Sequence, residues 1–334
     1  MKRTTGFLIA GGFGCAVALM LYGMHWYYRV PVEREGREAL GQEAEREVET
    51  DFVPTGMMAG AVPSIDNPQF ESVGAADVYL NDDGFGLDVE VGGKHRFYPY
   101  QLLVWHQVVN DLFDDRPIVV TYAPLTFTGS VFDLSEMSER PLFHVSENVW
   151  NNNLLMIDTK TSSFWSQILG RAVLGEADGQ FLKRYPSSVM SWDVWKLNYP
   201  NGQVLSRETG ADRDYTRDPY DNYLSTQAIW YPLTSYDDRL PAKTIVYGLS
   251  PLLVKEGLGE VTRYVFPLDR LIKAKEVKEE VGGLSFIVRY NEDLEAVEVY
   301  QQEDEKDGEL LSIESSFWFL EAAAFQSIVL YELP

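Results

Sequence analysis

From Phe70 onward the chain alternates short apolar runs with turn-forming residues, a rhythm that predicts many short strands. GLDVEVGGKHRFYPY (86–100) predicts a hairpin, with a strand over 87–91, a Gly92-Gly93 turn and a strand over 94–98. PYQLLVWHQVVNDLF (99–113) sets Leu102, Trp105, Val109 and Leu112 at helical spacing. Pro99 sits where the first turn tolerates it, so the stretch predicts a helix. RPIVVTY then reads as a buried strand, and VTYAPLTFTGSVFD (120–133) as strand, Pro-containing loop and second apolar strand.

This grammar occurs twice. An ungapped shift of 168 residues lays residues 98–133 over 266–301, placing Pro99 on Pro267, Leu103 on Leu271, Val109 on Val277, Val120 on Val288 and Val131 on Val299. SWDVWKLNYPNGQVL (191–205) resembles FWFLEAAAFQSIVLY (317–331) in the same way, with Trp192 over Trp318. Apolar positions persist while polar ones differ: His106 falls on Ala274, Asn110 on Lys278 and Pro124 on Glu292. The pattern predicts two copies of one unit, the second without the distinctive polar groups of the first.

The amino terminus breaks the pattern. Thr4 to Tyr28 is free of Asp, Glu, Lys and Arg, long enough to cross a hydrocarbon core of about 30 Å. Lys2 and Arg3 precede it and Trp26-Tyr27-Tyr28 close it, which predicts an anchor with the amino terminus in the cytoplasm and the body outside. Ala16-Val17-Ala18 also offers a small-residue signal-peptide cleavage site, but the apolar run continues to Tyr28 and favours an uncleaved anchor. Residues 29–52 are charged and read as a stalk.

The expected fold class is therefore α+β: a β-rich duplicated mixed α/β unit on a single N-terminal transmembrane helix. Its parts are an anchor (1–28), a linker (29–52), a first repeat unit holding a candidate pocket (53–235) and a second, degenerate unit (236–334).

The net charge of −23 argues against binding to phosphate backbones, so no nucleic-acid partner is expected. The one cysteine, Cys15, lies in the apolar amino-terminal run, leaving the rest without disulfide or thiolate ligand. Motifs for nucleophile elbows, zinc-binding helices and phosphate loops are lacking, and no cofactor is indicated. His106 and Asn110, four apart on the predicted helix, form a candidate base and companion; buried, hydrogen-bonded structural roles account for them equally. His106 and His144 are the nearest approach to a metal pair. Trp165 and Gln167 offer an aromatic wall and an amide, or simply core packing. Arg207, Arg213 and Arg217 are candidates for gripping an anion, although Asp212, Asp214 and Asp218 alternate with them and supply internal partners.

VPSIDNPQF, YPYQLLVWHQVVND, LLMIDTKTSSFWSQILGRAVLGEADG, LSRETGADRDYTRDPYDNY and DDRLPAKTIVYGL together make residues 60–334 resemble exported bacterial and archaeal proteins grouped as domain of unknown function 3179. The resemblance implies interest in Asn151 and Asn153, commonly Asn in that family, but brings no activity with it. The family's usual loop is Tyr-Cys-Pro-Leu-Cys-Gly-Thr; here it stands as Tyr122-Ala123-Pro124-Leu125-Thr126-Phe127-Thr128, without either cysteine. The functional expectation is a membrane-anchored extracytoplasmic binding or accessory protein without thiol chemistry at that loop, with Tyr122 near its pocket. The rivals are a hydrolase or transferase using His106 as base, and a structural subunit with an envelope protein partner.

Overall fold

The apolar runs are rich in Val, Ile, Phe and Tyr, which suit a half-buried pleated surface, and most of them pair as strands. The computed structural model describes residues 51–137, 139–250, 262–281, 284–303 and 306–332. All lie within one unit, Arg46–Pro334.

Five sheets result. Sheet A orders β1 (Val53–Pro54), β8 (Phe143–Trp150), β9 (Asn153–Asp158), β10 (Phe164–Ser166) and β11 (Arg171–Leu174). Sheet B runs β12 (Lys183–Tyr185), β7 (Thr128–Asp133), β6 (Arg116–Ala123) and β5 (Val108–Phe113). Sheet C is β13 (Ser188–Ser191), β3 (Phe85–Val91), β4 (Lys94–Pro99), β14 (Gln203–Leu205) and β2 (Phe70–Ser72). Sheet D is β21 (Glu314–Phe317), β15 (Ile245–Leu249), β16 (Thr262–Pro267) and β22 (Ser327–Leu330). Sheet E is β17 (Glu276–Val281), β18 (Leu284–Asn291), β19 (Ala296–Glu303) and β20 (Lys306–Leu311). Four seven-residue helices join them: α1 (Tyr100–His106), α2 (Trp192–Asn198), α3 (Leu268–Ala274) and α4 (Trp318–Ala324).

Three expectations are corrected here. The architecture is mostly β rather than α+β, with the sheet number and size of a five-bladed β-propeller. The predicted helix over 99–113 stops at His106: Gln107 adopts the left-handed conformation (φ 59°), and Val108–Phe113 continues as a strand against β6. Periodicity could not reveal this, because Val109 and Leu112 satisfy helical spacing while the strand is buried on both faces at every residue but Leu112, leaving no alternation to read. Finally, no helix among the described residues is long and apolar enough to cross a membrane, so single-pass anchoring and the extracytoplasmic placement built on it are not supported. The longest of those helices has seven residues, where a span needs about twenty. The apolar stretch Thr4–Tyr28 and most of the stalk lie outside the described residues.

Sheets C and B share their connectivity with sheets D and E. Val109 pairs with Val120 and Val120 with Val131; 168 residues later, Val277 pairs with Val288 and Val288 with Val299. The parallel pair Phe97–Val204 has its counterpart in Val265–Leu330. Backbone exceptions repeat too, left-handed Gln107 and Phe127 (φ 54°) answering Lys275 (φ 65°) and Glu295 (φ 47°). Sheet A has no counterpart among the described residues: β8 to β11 are inserted between β7 and β12, whereas β20 is the next strand after β19.

The turn joining β6 to β7 is buttressed from the second copy. Phe317 donates its backbone N–H to the Thr126 carbonyl at 2.8 Å, and Ser315 its hydroxyl to the Phe127 carbonyl at 3.2 Å. Phe127 is a bulky residue where the backbone favours glycine, a strain of roughly 1–2 kcal/mol. Its ring meets Phe85, Tyr100, Tyr122 and Phe317, and this aromatic packing offsets the strain.

Candidate functional site

Most polar candidates of the first copy are buried and engaged with the backbone or with one another. His106 ends α1 and is 1% exposed; Nδ1 meets the Pro63 carbonyl at 2.7 Å and Nε2 the Tyr215 hydroxyl at 2.6 Å. Burial holds its pKa below the ordinary value. Asn110 shares no helix with it. From β5, its amide donates to Asp66 (2.7 Å) and the Phe143 carbonyl (3.0 Å), and its oxygen accepts from Phe143 N–H, fastening β5 to β8. His144 lies 3.2 Å from Asp66. Among the described residues no three His, Cys, Asp or Glu side chains cluster as a metal site would require.

The asparagine run shapes loops. Asn151 and Asn152, both left-handed (φ 51° and 64°), make the turn between β8 and β9. Asn151 accepts from Thr234 N–H at 2.7 Å, while Asn152 forms two 2.8 Å bonds with the Tyr231 backbone. Asn153 donates to Thr126 Oγ1 (3.0 Å) and Gln167 Oε1 (2.9 Å), and Gln167 donates in turn to Thr121 Oγ1 and the Thr128 carbonyl. Trp165 donates to Asp158 at 2.9 Å. Tyr122 stacks on Tyr100 with ring centroids 3.8 Å apart, and burial raises its pKa. Arg207 lies over the Tyr79 ring at 4.1 Å, and Arg217 is exposed, 3.9 Å from Asp214.

A cavity of about 250 Å³ opens beside the β6–β7 turn, and Ala123, Pro124 and Leu125 form one wall. Sheet A supplies Val145, Val149 and Leu154; α1 and its cap supply Val104, Trp105 and Gln107. The loop after β14 closes it with Arg213, Tyr220, Trp230 and Tyr231. Tyr220 stacks on Trp230 (centroids 5.6 Å apart) and accepts from Gln107 Nε2 at 2.8 Å. Burial pushes the Tyr220 hydroxyl up to about 12, with Tyr231 and Asp218 adding to the shift, so it stays neutral at physiological pH.

Of all the candidate residues, only Arg213 lines this cavity. His106, Asn110, Asn153, Trp165 and Gln167 do not face it. Of the two positions where the resemblance would place cysteines, Ala123 is on the wall, whereas Thr126 is buried in the Asn153 network. Trp105 entered the reading only as a helix-stripe residue, and Gln107, Tyr220, Trp230 and Tyr231 escaped it. The signal was available in the aromatic pair Trp230-Tyr231, preceded by Ile229, inside a polar, Pro-containing loop, where packed core is not expected.

Among the described residues, the wall carries no Asp, Glu, His or Cys. It is an aromatic and aliphatic enclosure with a few amides and hydroxyls and one guanidinium, chemistry suited to holding an organic molecule rather than moving its protons. No curated protein and no solved structure matches the chain. Residues 59–327 match the model of a protein family of unknown function, DUF3179, and the chain belongs to that family.

Proposed function

We propose that this protein binds a small, largely apolar organic molecule in the cavity beside the β6–β7 turn, without thiol chemistry at that turn. The observation that carries the reading is the wall itself: Trp105, Tyr220, Trp230 and aliphatic side chains around a turn whose polar neighbours are engaged elsewhere. Burying about 150 Å² of apolar ligand surface would contribute roughly 4 kcal/mol, near-millimolar affinity before polar contacts are added. The absence of an acid or base from the wall supports binding over turnover by His106, whose two ring nitrogens are both occupied.

The test is titration of the full chain with 2-naphthamide, followed by tryptophan fluorescence. Saturable quenching is expected, weakened at least tenfold by Ala123→Leu, which narrows the cavity, in a variant that keeps a cooperative unfolding transition. Equal binding by the narrowed variant, or no saturable signal in the natural protein, would remove the reading.

A further inference from the structure

We infer that the cavity selects an anion: a molecule with one or two rings bearing a single carboxylate, gripped by Arg213. This rests on the binding reading above and names its ligand class.

Among the described residues, Arg213 is the one ionised side chain of the wall, in a chain of net charge −23. Its Nη2 donates to the Ala61 carbonyl at 2.7 Å, while its Nε is buried without a hydrogen-bond partner. No carboxylate among the described residues forms an ion pair with it, in contrast to Arg217 a turn later. Of the neighbouring acids, Asp214 accepts from Thr216 N–H (3.1 Å) and Oγ1 (2.6 Å) and Asp218 from Tyr220 N–H (2.8 Å), while Asp212 is exposed.

The guanidinium is half-buried beside apolar surface, and its Nη1 has no partner among the described residues, so an entering carboxylate can be taken by the Nη donors. The Trp105 ring, 5.6 Å from the guanidinium carbon, restrains that plane at the cavity edge. Trp230 and Tyr220 face the apolar body of the ligand. A neutral amide carbonyl can accept a hydrogen bond there but brings no charge to pair with the guanidinium, so the site discriminates by charge.

The experiment compares 2-naphthoate with its neutral near-isostere 2-naphthamide on the full chain at pH 7.5. The natural protein is expected to bind naphthoate about tenfold more tightly, the effect of one additional charge-assisted hydrogen bond. Arg213→Gln should bring that ratio to near one. A ratio near one in the natural protein, or a tenfold ratio surviving in Arg213→Gln, overturns the assignment and leaves the binding reading intact. Failure of both ligands in the natural protein removes that reading instead. If Arg213→Gln loses both ligands, Arg213→Lys decides: it keeps the charge, so a retained preference for naphthoate supports the assignment and loss of the preference overturns it.

Discussion

At one equivalent place the two copies solve the same electrostatic problem differently. In the first, His95 on β4 lies 3.0 Å from Asp88 on β3, and Trp195 of α2 donates to the same carboxylate at 2.7 Å. In the second, the registers put Arg263 where His95 stood, Gly248 where Asp88 stood and Glu321 where Trp195 stood. The carboxylate has moved from strand to helix. Glu321 takes Arg263 through Nε (2.8 Å) and Nη2 (3.0 Å), Glu314 takes Nη1 (3.1 Å), and Arg184 closes an electroneutral group of four on Glu314 (2.7 Å). Burial alone would lower the Arg263 pKa; Glu321 and Glu314 more than compensate and raise it.

The exchange is coupled by volume. A Cβ on Gly248 would fall on Arg263 Nε and Nη2 and on Glu321 Oε1, so the guanidinium occupies the space of the missing side chain. Neither copy could reach the other's arrangement by one substitution without leaving a buried charge unpaired or two groups in collision.

Breaking the second arrangement should give the largest effect. Glu321→Ala removes the bidentate partner of a guanidinium that is 1% exposed, and chemical unfolding should show a loss of about 3–5 kcal/mol. A loss under about 1 kcal/mol would mean that the quartet is not held as described. Next comes Gly248→Ala, expected to destabilise by about 1–3 kcal/mol through overpacking; an unchanged unfolding midpoint would show that Arg263 can swing aside.

The smallest effect sharpens a second contrast between the copies, that of His106 with its counterpart Ala274. Because burial lowers the folded pKa of His106 below 6.5, the unfolded chain takes up its proton first as pH falls. Its contribution to stability is full above pH 6.5, declines as pH drops below that, and flattens once the folded pKa is passed. His106→Gln should remove that acid-side slope relative to the natural protein in unfolding midpoints followed from pH 7.5 to 5. An identical slope in both would show the imidazole to be protonated in place.

Much of the strand layout was legible because it rests on local signals. The Gly92-Gly93 hairpin reads directly, both glycines taking positive φ. The helix break at Gln107 was hidden because its left-handed conformation falls on a residue that does not advertise it, as glycine or asparagine would. At the site, reading for polar groups led to side chains whose hydrogen bonds are already made, Asn110 and Asn153 among them. The cavity instead gathers residues from Thr55 to Tyr231, five separate stretches whose meeting depends on pairings far apart in the chain. Gly248 illustrates the same limit: its role is visible only once Arg263 and Glu321 stand beside it.

The insertion of β8 to β11 has a consequence of its own. Two like units would ordinarily present two like sites, but part of the cavity wall comes from this extra sheet, and β20 is the next strand after β19 where the second copy would need it. The cavity therefore belongs to the asymmetric part of the molecule, and the binding proposed for it would be one ligand per chain rather than one per repeat.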